Sequence, residues 1–228
     1  MLFAEFCDII DKYDGGWIIM TMENYLENIL KLPVDLPIGD IAKLLEFVDI
    51  PKGKLIYRAG EPVEKLSFLV EGTVVGVRQD ENGHMVVDCI PCCPGDSVTA
   101  VQDLQLSERT TSHDTMDKFC TLWNQPTFAL CDVIAAENTR IAQISNVNVQ
   151  HALESYPELL FWVSNKMHES FQKHWETKSM LARYNSAYDR YIWFLNEYPG
   201  VIDKVSNIYV AAFLGVDPAT LSRQKHKI

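Results

Sequence analysis

The last part of the chain, residues 218–228, carries side chains suited to binding nucleic acid. It reads PATLSRQKHKI and holds Arg223, Lys225 and Lys227 without any Asp or Glu. Arginine can bind guanine through two hydrogen bonds in the major groove of DNA, while serine, threonine and lysine bind phosphates. The residues that we predict to contact DNA are Thr220, Ser222, Arg223, Gln224, Lys225 and Lys227. The alternative is a capped terminal helix with an ordinary solvated face.

The residues just before this segment predict how it is positioned. In a helix-turn-helix, the first helix needs a small residue where the second helix crosses it, and the turn favours glycine because its backbone is left-handed. Ala211 or Ala212 and Gly215 meet these two needs. Asp217 is a good N-cap, and Pro218 suits the first position of a helix. A second helix is therefore predicted to begin at Pro218.

Cysteine is the other residue type here that could do chemistry. Cys89, Cys92 and Cys93 lie close together in the sequence and could bind a metal or form a disulfide, with Cys120, Cys131 and His84 as more distant candidates. Adjacent cysteines have poorer ligand spacing than paired C-x-x-C motifs, and free cysteine is often only a small buried apolar side chain. Redox sensing by these three residues therefore stays open beside a plain core role, and we predict no resident metal or cofactor.

The histidine and nucleophile patterns argue against an enzyme. A metal-dependent enzyme built on a small barrel needs two or three histidines and a carboxylate that converge inside it. Residues 50–145 contain only His84 and His113, and the chain has no Gly-x-Ser-x-Gly motif and no phosphate-binding loop. We therefore expect a protein that binds rather than catalyses.

Composition and charge place the chain among globular proteins with an acidic body. The chain is 47% hydrophobic and 22% charged, which is ample for a packed core. Its net charge is −11, but residues 188–228 contain five Lys/Arg against four Asp/Glu, so +1 lies there and −12 lies in residues 1–187. No apolar run approaches the roughly 18 residues of a membrane helix. We expect a cytoplasmic protein with reduced thiols and no membrane partner.

Sequence periodicity divides the chain into three zones. From Ile50 to about Ser145, short β-branched runs alternate with turn residues, which favours a small barrel or jelly roll. Within this zone, Asn82-Gly83 predicts a β-hairpin because both residues tolerate positive φ. From Tyr188 onward, the pattern changes to short helical segments that are interrupted at Tyr198-Pro199-Gly200.

The middle zone, from Pro157 to Ala187, has the period of one long helix. Its apolar residues recur at steps of three and four, and the ones that we assign to the helix face are Leu160, Val163, Met167, Phe171, Trp175 and Leu181. About 30 residues make a helix of roughly 45 Å, which is too long to be covered by one small barrel. A second copy of the same helix would cover it, so we predict a dimerisation helix. The alternative is a helix that packs only on its own barrel.

The order of these motifs resembles the CRP/FNR superfamily of bacterial transcription regulators. The motifs before the helix-turn-helix are Gly60-Glu61, Phe68-Leu69-Val70-Glu71-Gly72, Asn82-Gly83, Pro94-Gly95-Asp96, Ile141-Ala142-Gln143-Ile144-Ser145 and Tyr156-Pro157-Glu158-Leu159. The resemblance covers roughly residues 40–228. In the family's pattern, Arg223 falls on the arginine that contacts bases, whereas Pro218 and Ala219 stand where many relatives carry Arg and Glu. The DNA target is therefore expected to differ from the best-known ones.

The resemblance implies an α+β fold and a homodimeric DNA-binding regulator. Residues 1–22 would be an extension, 23–156 a cyclic-nucleotide-binding-like β jelly-roll barrel with flanking helices, 157–187 the dimerisation helix, and 188–228 an all-α helix-turn-helix domain without a wing. Double-stranded DNA and a second copy are the implied partners, and RNA polymerase is a further candidate. The alternative is a barrel that senses a ligand or redox change while its DNA-binding domain has degenerated.

The barrel departs from relatives that bind cyclic nucleotides. Those relatives follow Pro-Gly-Asp with a Gly-Glu pair and, some ten residues later, an arginine for the phosphate; here Thr99-Ala100 replaces the pair and only Arg109 is near. We therefore expect an unknown small-molecule effector other than cAMP or cGMP. Candidate residues for its pocket are Phe68, Val98, Arg109, Trp123, Phe128 and Trp162. Aromatic side chains at such positions are alternatively plain core.

This departure predicts that the protein binds neither cAMP nor cGMP. A buried phosphate needs a cation and free backbone donors, and the segment lacks both in the family's pattern. Calorimetric titration with each nucleotide should give no heat of binding. Micromolar affinity for either one would contradict the prediction.

Overall fold

Seven β-strands lie within residues 20–99 and 127–226, which the computed structural model describes, and all but the first lie in the zone of β-branched runs. The strands are β1 (Leu45–Ile50), β2 (Leu55–Tyr57), β3 (Lys65–Glu71), β4 (Val74–Gln79), β5 (Met85–Cys89), β6 (Asp132–Ala135) and β7 (Thr139–Ser145). They form two antiparallel sheets, of order β1-β7-β3 and β2-β6-β4-β5. With the helices that follow, the expected α+β class is confirmed.

The inner faces of the two sheets share one apolar cluster. Leu69 of β3 and Ile141 of β7 come from the first sheet, and Val74 of β4 and Val133 of β6 come from the second. Alternate residues of a strand point to opposite faces, so each strand sends one set of side chains into this interior. The packing holds the two sheets face to face.

The hairpin predicted at Asn82-Gly83 joins β4 to β5, but with a different turn. Only Gly83 has a positive φ, of 80°, whereas Asn82 does not. The Asp80 carboxylate accepts the backbone N–H groups of Asn82 (2.9 Å) and His84 (2.8 Å), and the Gly83 N–H donates to the Asp80 carbonyl. These bonds stabilise a longer loop with a single left-handed residue, instead of the two-residue turn.

Short helices cover the outer face of the first sheet. They are α1 (Met22–Asn24), which continues as a π-helical turn over Tyr25–Ile29, then α2 (Ile38–Ala42) and α3 (Asn146–Ser155). Tyr25 and Leu26 are buried with Leu153 and Ala142 in one cluster. The Tyr25 hydroxyl donates to the Leu69 carbonyl over 2.7 Å, which ties the N-terminal segment to the sheet.

The long helix expected in the middle zone is α4 (Leu159–Arg183), with 25 residues. Of these residues only Leu159 and Leu181, near the two ends, are buried. Leu159 packs with the N-terminal helices, and Leu181 packs with the helices that follow α4. The helix is therefore anchored at both ends, and the residues between these two anchors are exposed or half-buried. No helix among the described residues combines the length and apolar character that a membrane span needs.

The C-terminal helices pack directly on the outer face of the second sheet. They are α5 (Ala187–Glu197), α6 (Val201–Lys204), α7 (Asn207–Leu214) and α8 (Pro218–Lys225). Val75 of β4 and Val87 of β5 are fully buried against them. Three aromatic rings, from Phe194, Tyr198 and Phe213, form the centre of this cluster, with ring centroids 5.2 to 5.9 Å apart. Sheet and helices thus share one hydrophobic core.

Gly76, in the middle of β4, makes a testable contribution to this fold. A Cβ at Gly76 would lie 2.7 Å from the Cys89 sulfur and 2.9 Å from the Cys131 sulfur. Overpacking of this kind typically costs about 1–3 kcal/mol, so Gly76→Ala should lower the free energy of unfolding in urea by that amount. The control is Gly39→Ala in α2, where a Cβ meets no atom within 4 Å. Equal stability of the two variants would contradict the packing described.

Candidate nucleic-acid interface

The connection between α7 and α8 is fixed by local sequence. Gly215 is left-handed, with a φ of 63°, and ends α7. The N–H of Val216 donates to the Ala211 carbonyl over 3.0 Å, so the chain closes the helix as it leaves it. Asp217 caps α8, because its carboxylate accepts the N–H groups of Ala219 (2.8 Å) and Thr220 (3.3 Å). The helix start predicted at Pro218 is confirmed.

Arg190 of α5 forms hydrogen bonds to the backbone of this turn. Its Nη1 donates to the carbonyls of Leu214 (2.9 Å) and Gly215 (3.4 Å), and its Nε donates to the Tyr184 carbonyl over 3.1 Å. Carbonyls at the end of a helix lack partners within the helix, and a cationic donor satisfies them well. Arg190 thus joins the end of α4, α5 and the turn. Sequence reasoning did not assign it this role, because its partners are backbone atoms that are distant in sequence.

The two helices of the motif pack through small and apolar side chains. Ala211 and Leu214 of α7 and Leu221 of α8 are all buried. Leu221 comes four residues after Asp217, and the structure places its side chain inward, as that spacing predicts. The opposite side of α8 faces outward.

Ser222 and Arg223 lie on the outward side of α8. Both are exposed, together with Pro218 and Ala219 at the start of the helix. The Arg223 side chain lies back along its own helix, where Nη2 donates to Thr220 Oγ1 over 2.9 Å and Nε donates to the Ala219 carbonyl over 3.3 Å. Thr220, which is half-buried, therefore positions the guanidinium on this face.

The other predicted contacts are placed differently. Lys225 is half-buried, and its Nζ donates to Asn207 Oδ1 of α7 over 2.6 Å. Gln224 is also half-buried, and its Oε1 is buried without a hydrogen-bond partner among the residues that the structure describes. Lys227 lies outside the described residues. Ser222 and Arg223 therefore lie on the exposed face of α8, whereas Gln224 and Lys225 are half-buried.

Polar contacts also link these helices to the sheet. Lys204 of α6 forms a 3.2 Å ion pair with Glu137, which lies between β6 and β7. Lys178 of α4 donates to the Val87 carbonyl over 3.3 Å and lies 3.6 Å from Asp88. These ion pairs and this hydrogen bond lie at the edge of the shared core and connect the helices to the second sheet.

The predicted effector-pocket residues do not form one site among the described residues. Phe68 and Trp162 are together, with ring centroids 6.4 Å apart, and the Trp162 indole N–H donates to the Leu30 carbonyl. Val98 is buried between the sheets instead, and Phe128 is 44% exposed beside Pro62. Arg109 and Trp123 lie outside the described residues.

A groove of about 470 Å³ lies elsewhere, beside β2 and the start of β3. Tyr57, Lys65 and Gln143 are among its lining residues. The Tyr57 hydroxyl donates to the Lys65 carbonyl (2.9 Å) and contacts Ser67, and the Gln143 side-chain amide donates to Ser67 Oγ (3.0 Å). Burial raises the pKa of Tyr57.

The Ser67 N–H donates to Thr99 Oγ1 over 2.7 Å, so Thr99 completes the polar network of Tyr57, Ser67 and Gln143. Sequence reasoning did not find the network, because its members come from separate strands.

The cysteines fall into two groups. The sulfur atoms of Cys89 and Cys131 both lie next to Gly76, within 3 Å of the position that a Cβ there would take. A hydrogen bond from the Cys131 thiol lowers the pKa of Cys89, and the same bond and burial raise the pKa of Cys131. Cys92 and Cys93 form a second group, in which both sulfurs lie near a carboxylate oxygen of Asp96. The predicted set of Cys89, Cys92 and Cys93 is thus divided, and Cys131, a more distant candidate in the sequence, is the neighbour of Cys89.

Comparison with solved structures identifies the fold of this chain. No protein-family model and no curated protein sequence matches the chain. FixK2 from Bradyrhizobium japonicum superposes with a TM-score of 0.60 at 16% identity, over 81% of this chain and 84% of FixK2. A putative transcriptional regulator of the crp/fnr family from Eubacterium rectale gives 0.59 at 15% identity, over 90% and 87%. The chain has the CRP/FNR fold.

A third solved structure also superposes on this chain. The c-di-GMP-responsive global regulator CLP from Xanthomonas campestris superposes with a TM-score of 0.57 at 15% identity, over 81% of this chain and 86% of CLP. At such identities the shared property is the fold itself. Within the CRP/FNR fold of this chain, α7 and α8 form the helix-turn-helix, and the exposed face of α8 is the candidate interface.

Proposed function

We propose that the protein is a homodimeric, DNA-binding transcription regulator of the CRP/FNR type that responds to an effector other than cAMP or cGMP. The observation that carries the proposal is the exposed face of α8, where Arg223 and Ser222 follow a turn fixed by Gly215 and Asp217. The CRP/FNR fold around this helix supports the same function.

The proposed role of Arg223 is to contact a base in the major groove. Its guanidinium has five N–H donors in a planar arrangement that matches the two acceptors of guanine. Its bonds to Thr220 and Ala219 are exposed to solvent, so exchanging them for base acceptors costs little. Ser222, one position earlier on the same exposed face, is proposed to contact a phosphate. Lys225, the last residue of α8, and Lys227, two positions later in the sequence, would add phosphate contacts.

Dimerisation through α4 is supported by its exposed aromatic residues. Phe171 is 52% exposed and Trp175 is 65% exposed, and they lie one helical turn apart on the same face. Large apolar side chains that are exposed together on a long helix commonly mark a contact with another chain. Leu181, in contrast, is buried within its own chain. A parallel copy of α4 would cover Phe171 and Trp175 and relate the two α8 helices by a two-fold axis.

The roles follow the order of the chain. We assign effector sensing to residues 23–156, dimerisation to 157–187 and DNA binding to 188–228. Thr99, which stands where cyclic-nucleotide-binding relatives have glycine, uses its hydroxyl to accept the Ser67 N–H. Because Thr99 is engaged inside the protein, its place in the fold supports an effector other than a cyclic nucleotide.

Arg223→Ala tests the proposed function directly. Duplex DNA from upstream of the protein's own gene should bind the wild-type protein in a fluorescence-anisotropy titration, with an affinity that falls as salt rises. Loss of a bidentate contact to a base costs about 1–3 kcal/mol, so Arg223→Ala should weaken binding roughly 5- to 150-fold.

Arg58→Ala is the matched control for this titration. Arg58 is also a largely exposed arginine, but it lies next to β2 and pairs with Glu61. Its replacement should leave DNA affinity unchanged within twofold. Equal binding by the wild-type protein and Arg223→Ala would contradict the proposed role of α8.

A further inference from the structure

Two sulfur atoms and one carboxylate meet in the loop that follows β5. Cys92 and Cys93 precede a tight turn in which the Asp96 N–H donates to the Cys93 carbonyl over 3.0 Å, with Gly95 left-handed at φ 87°. The turn brings Asp96 back towards the two cysteines. The two Sγ atoms and one carboxylate oxygen all lie within 4.8 Å of one another, and all three residues are half-buried.

Backbone bonds explain the position of Asp96 but not the two thiols. Asp96 Oδ2 accepts the N–H groups of Cys92 and Cys93, each over 3.0 Å, and Oδ1 accepts Lys173 Nζ of α4 over 2.8 Å. Any residue except proline at positions 92 and 93 could donate these N–H groups. The side chains at both positions are nevertheless cysteines, and both sulfurs approach the same carboxylate. This arrangement brings together ligand atoms of the kind that zinc prefers.

The ligand types favour zinc over other biological cations. Thiolate sulfur is a ligand for zinc and Cu(I), whereas magnesium and calcium take oxygen ligands, and the carboxylate favours the divalent ion. Neighbouring ligand atoms of a tetrahedral zinc site are about 3.5–3.8 Å apart, so the observed limit of 4.8 Å requires only small side-chain rotations. Three protein ligands leave the fourth position for water or another ligand.

The charge of the surroundings also suits such an ion. A divalent cation with two thiolates and one carboxylate carries a net charge of −1. Lys173, whose ammonium group lies 2.8 Å from Asp96, supplies the compensating positive charge. A charged group in a partly buried site is stable only when it is paired in this way.

We propose that Cys92, Cys93 and Asp96 form a binding site for a divalent thiophilic ion of the zinc type, with Lys173 balancing its charge. Cys89 is not part of the site, although Cys89 and Cys92 have the C-x-x-C spacing. Its sulfur lies above Gly76, next to Cys131, on the inner side of the sheet. The site goes beyond the proposed regulator function and does not depend on DNA binding.

The site lies where three parts of the chain meet. Its ligands follow β5, Lys173 belongs to α4, and Cys92 packs against the apolar cluster that contains Tyr198, the residue that follows α5. An ion bound there would strengthen the connection between the sheet, the long helix and the C-terminal helices. Binding should therefore raise the stability of the folded chain as well as occupy the site.

Metal titration of the full-length protein tests the proposal. The reduced protein, freed of metal by a chelator that is then removed, is titrated with Co²⁺ as a spectroscopic probe and with Zn²⁺ in competition against a chromophoric chelator. We expect one ion per chain and a thiolate-to-cobalt charge-transfer band. Cys92→Ser and Cys93→Ser should each weaken Zn²⁺ binding at least tenfold, because each removes a ligand. The control, Cys89→Ser, should keep the affinity of the wild-type protein.

A second measurement keeps the test valid if one variant folds poorly. In the wild-type protein, Zn²⁺ should slow alkylation of Cys92 and Cys93 by iodoacetamide at least tenfold, as measured on the peptides by mass spectrometry. Mg²⁺ at the same concentration should not slow it. Absence of Zn²⁺ binding, equal loss in Cys89→Ser, or unchanged alkylation of the Cys92-Cys93 peptide would each overturn the proposal.

Discussion

The shared apolar core between the second sheet and the C-terminal helices is the constraint on which the rest of the structure depends. Val75 and Val87 on the sheet are buried against Phe194 and Phe213 of α5 and α7, with Tyr198 stacked on Phe194. Burying a side chain of this size contributes about 1.5–3 kcal/mol. The helix-turn-helix is therefore held in one orientation on the sheet, and any event that changes the packing of β5 acts directly on α7, against which α8 packs.

In the proposed dimer, the long helix α4 would transmit this constraint to a second copy of the chain. Its two ends are buried in different clusters, one with the N-terminal helices and one with the C-terminal helices, while Phe171 and Trp175 face outward between them. A helix that is fixed at both ends presents its middle in a defined direction. The same helix carries Lys173 and Lys178, which contact the loop after β5 and β5 itself. In a dimer, changes in the sheet would thus reach the interface and the DNA-binding helices through the same residues.

Features that are set by neighbouring residues could be predicted from the sequence, whereas features set across the fold could not. Gly215, Asp217 and Pro218 define the start of α8 by local rules of turns and caps, and the structure agrees with each. The position of the hairpin after β4 was also predicted correctly. Its turn differs from the predicted one because the Asp80 carboxylate accepts two backbone N–H groups of the loop. The hydrogen bond from Lys225 to Asn207 joins two different helices, so the helical pattern of the last segment could not predict it. Arg190 and the pairing of Cys89 with Cys131 depend on distant contacts in the same way.

Selection of binding sites from random duplex DNA tests the central claim most directly. The claim is that two copies of α8, related by a two-fold axis, enter successive major grooves. The enriched sequences should then be near-palindromes with half-site centres about 10 base pairs apart, since one turn of DNA spans about 34–36 Å. Failure to enrich any sequence, or enrichment of a single half-site without symmetry, would contradict the account.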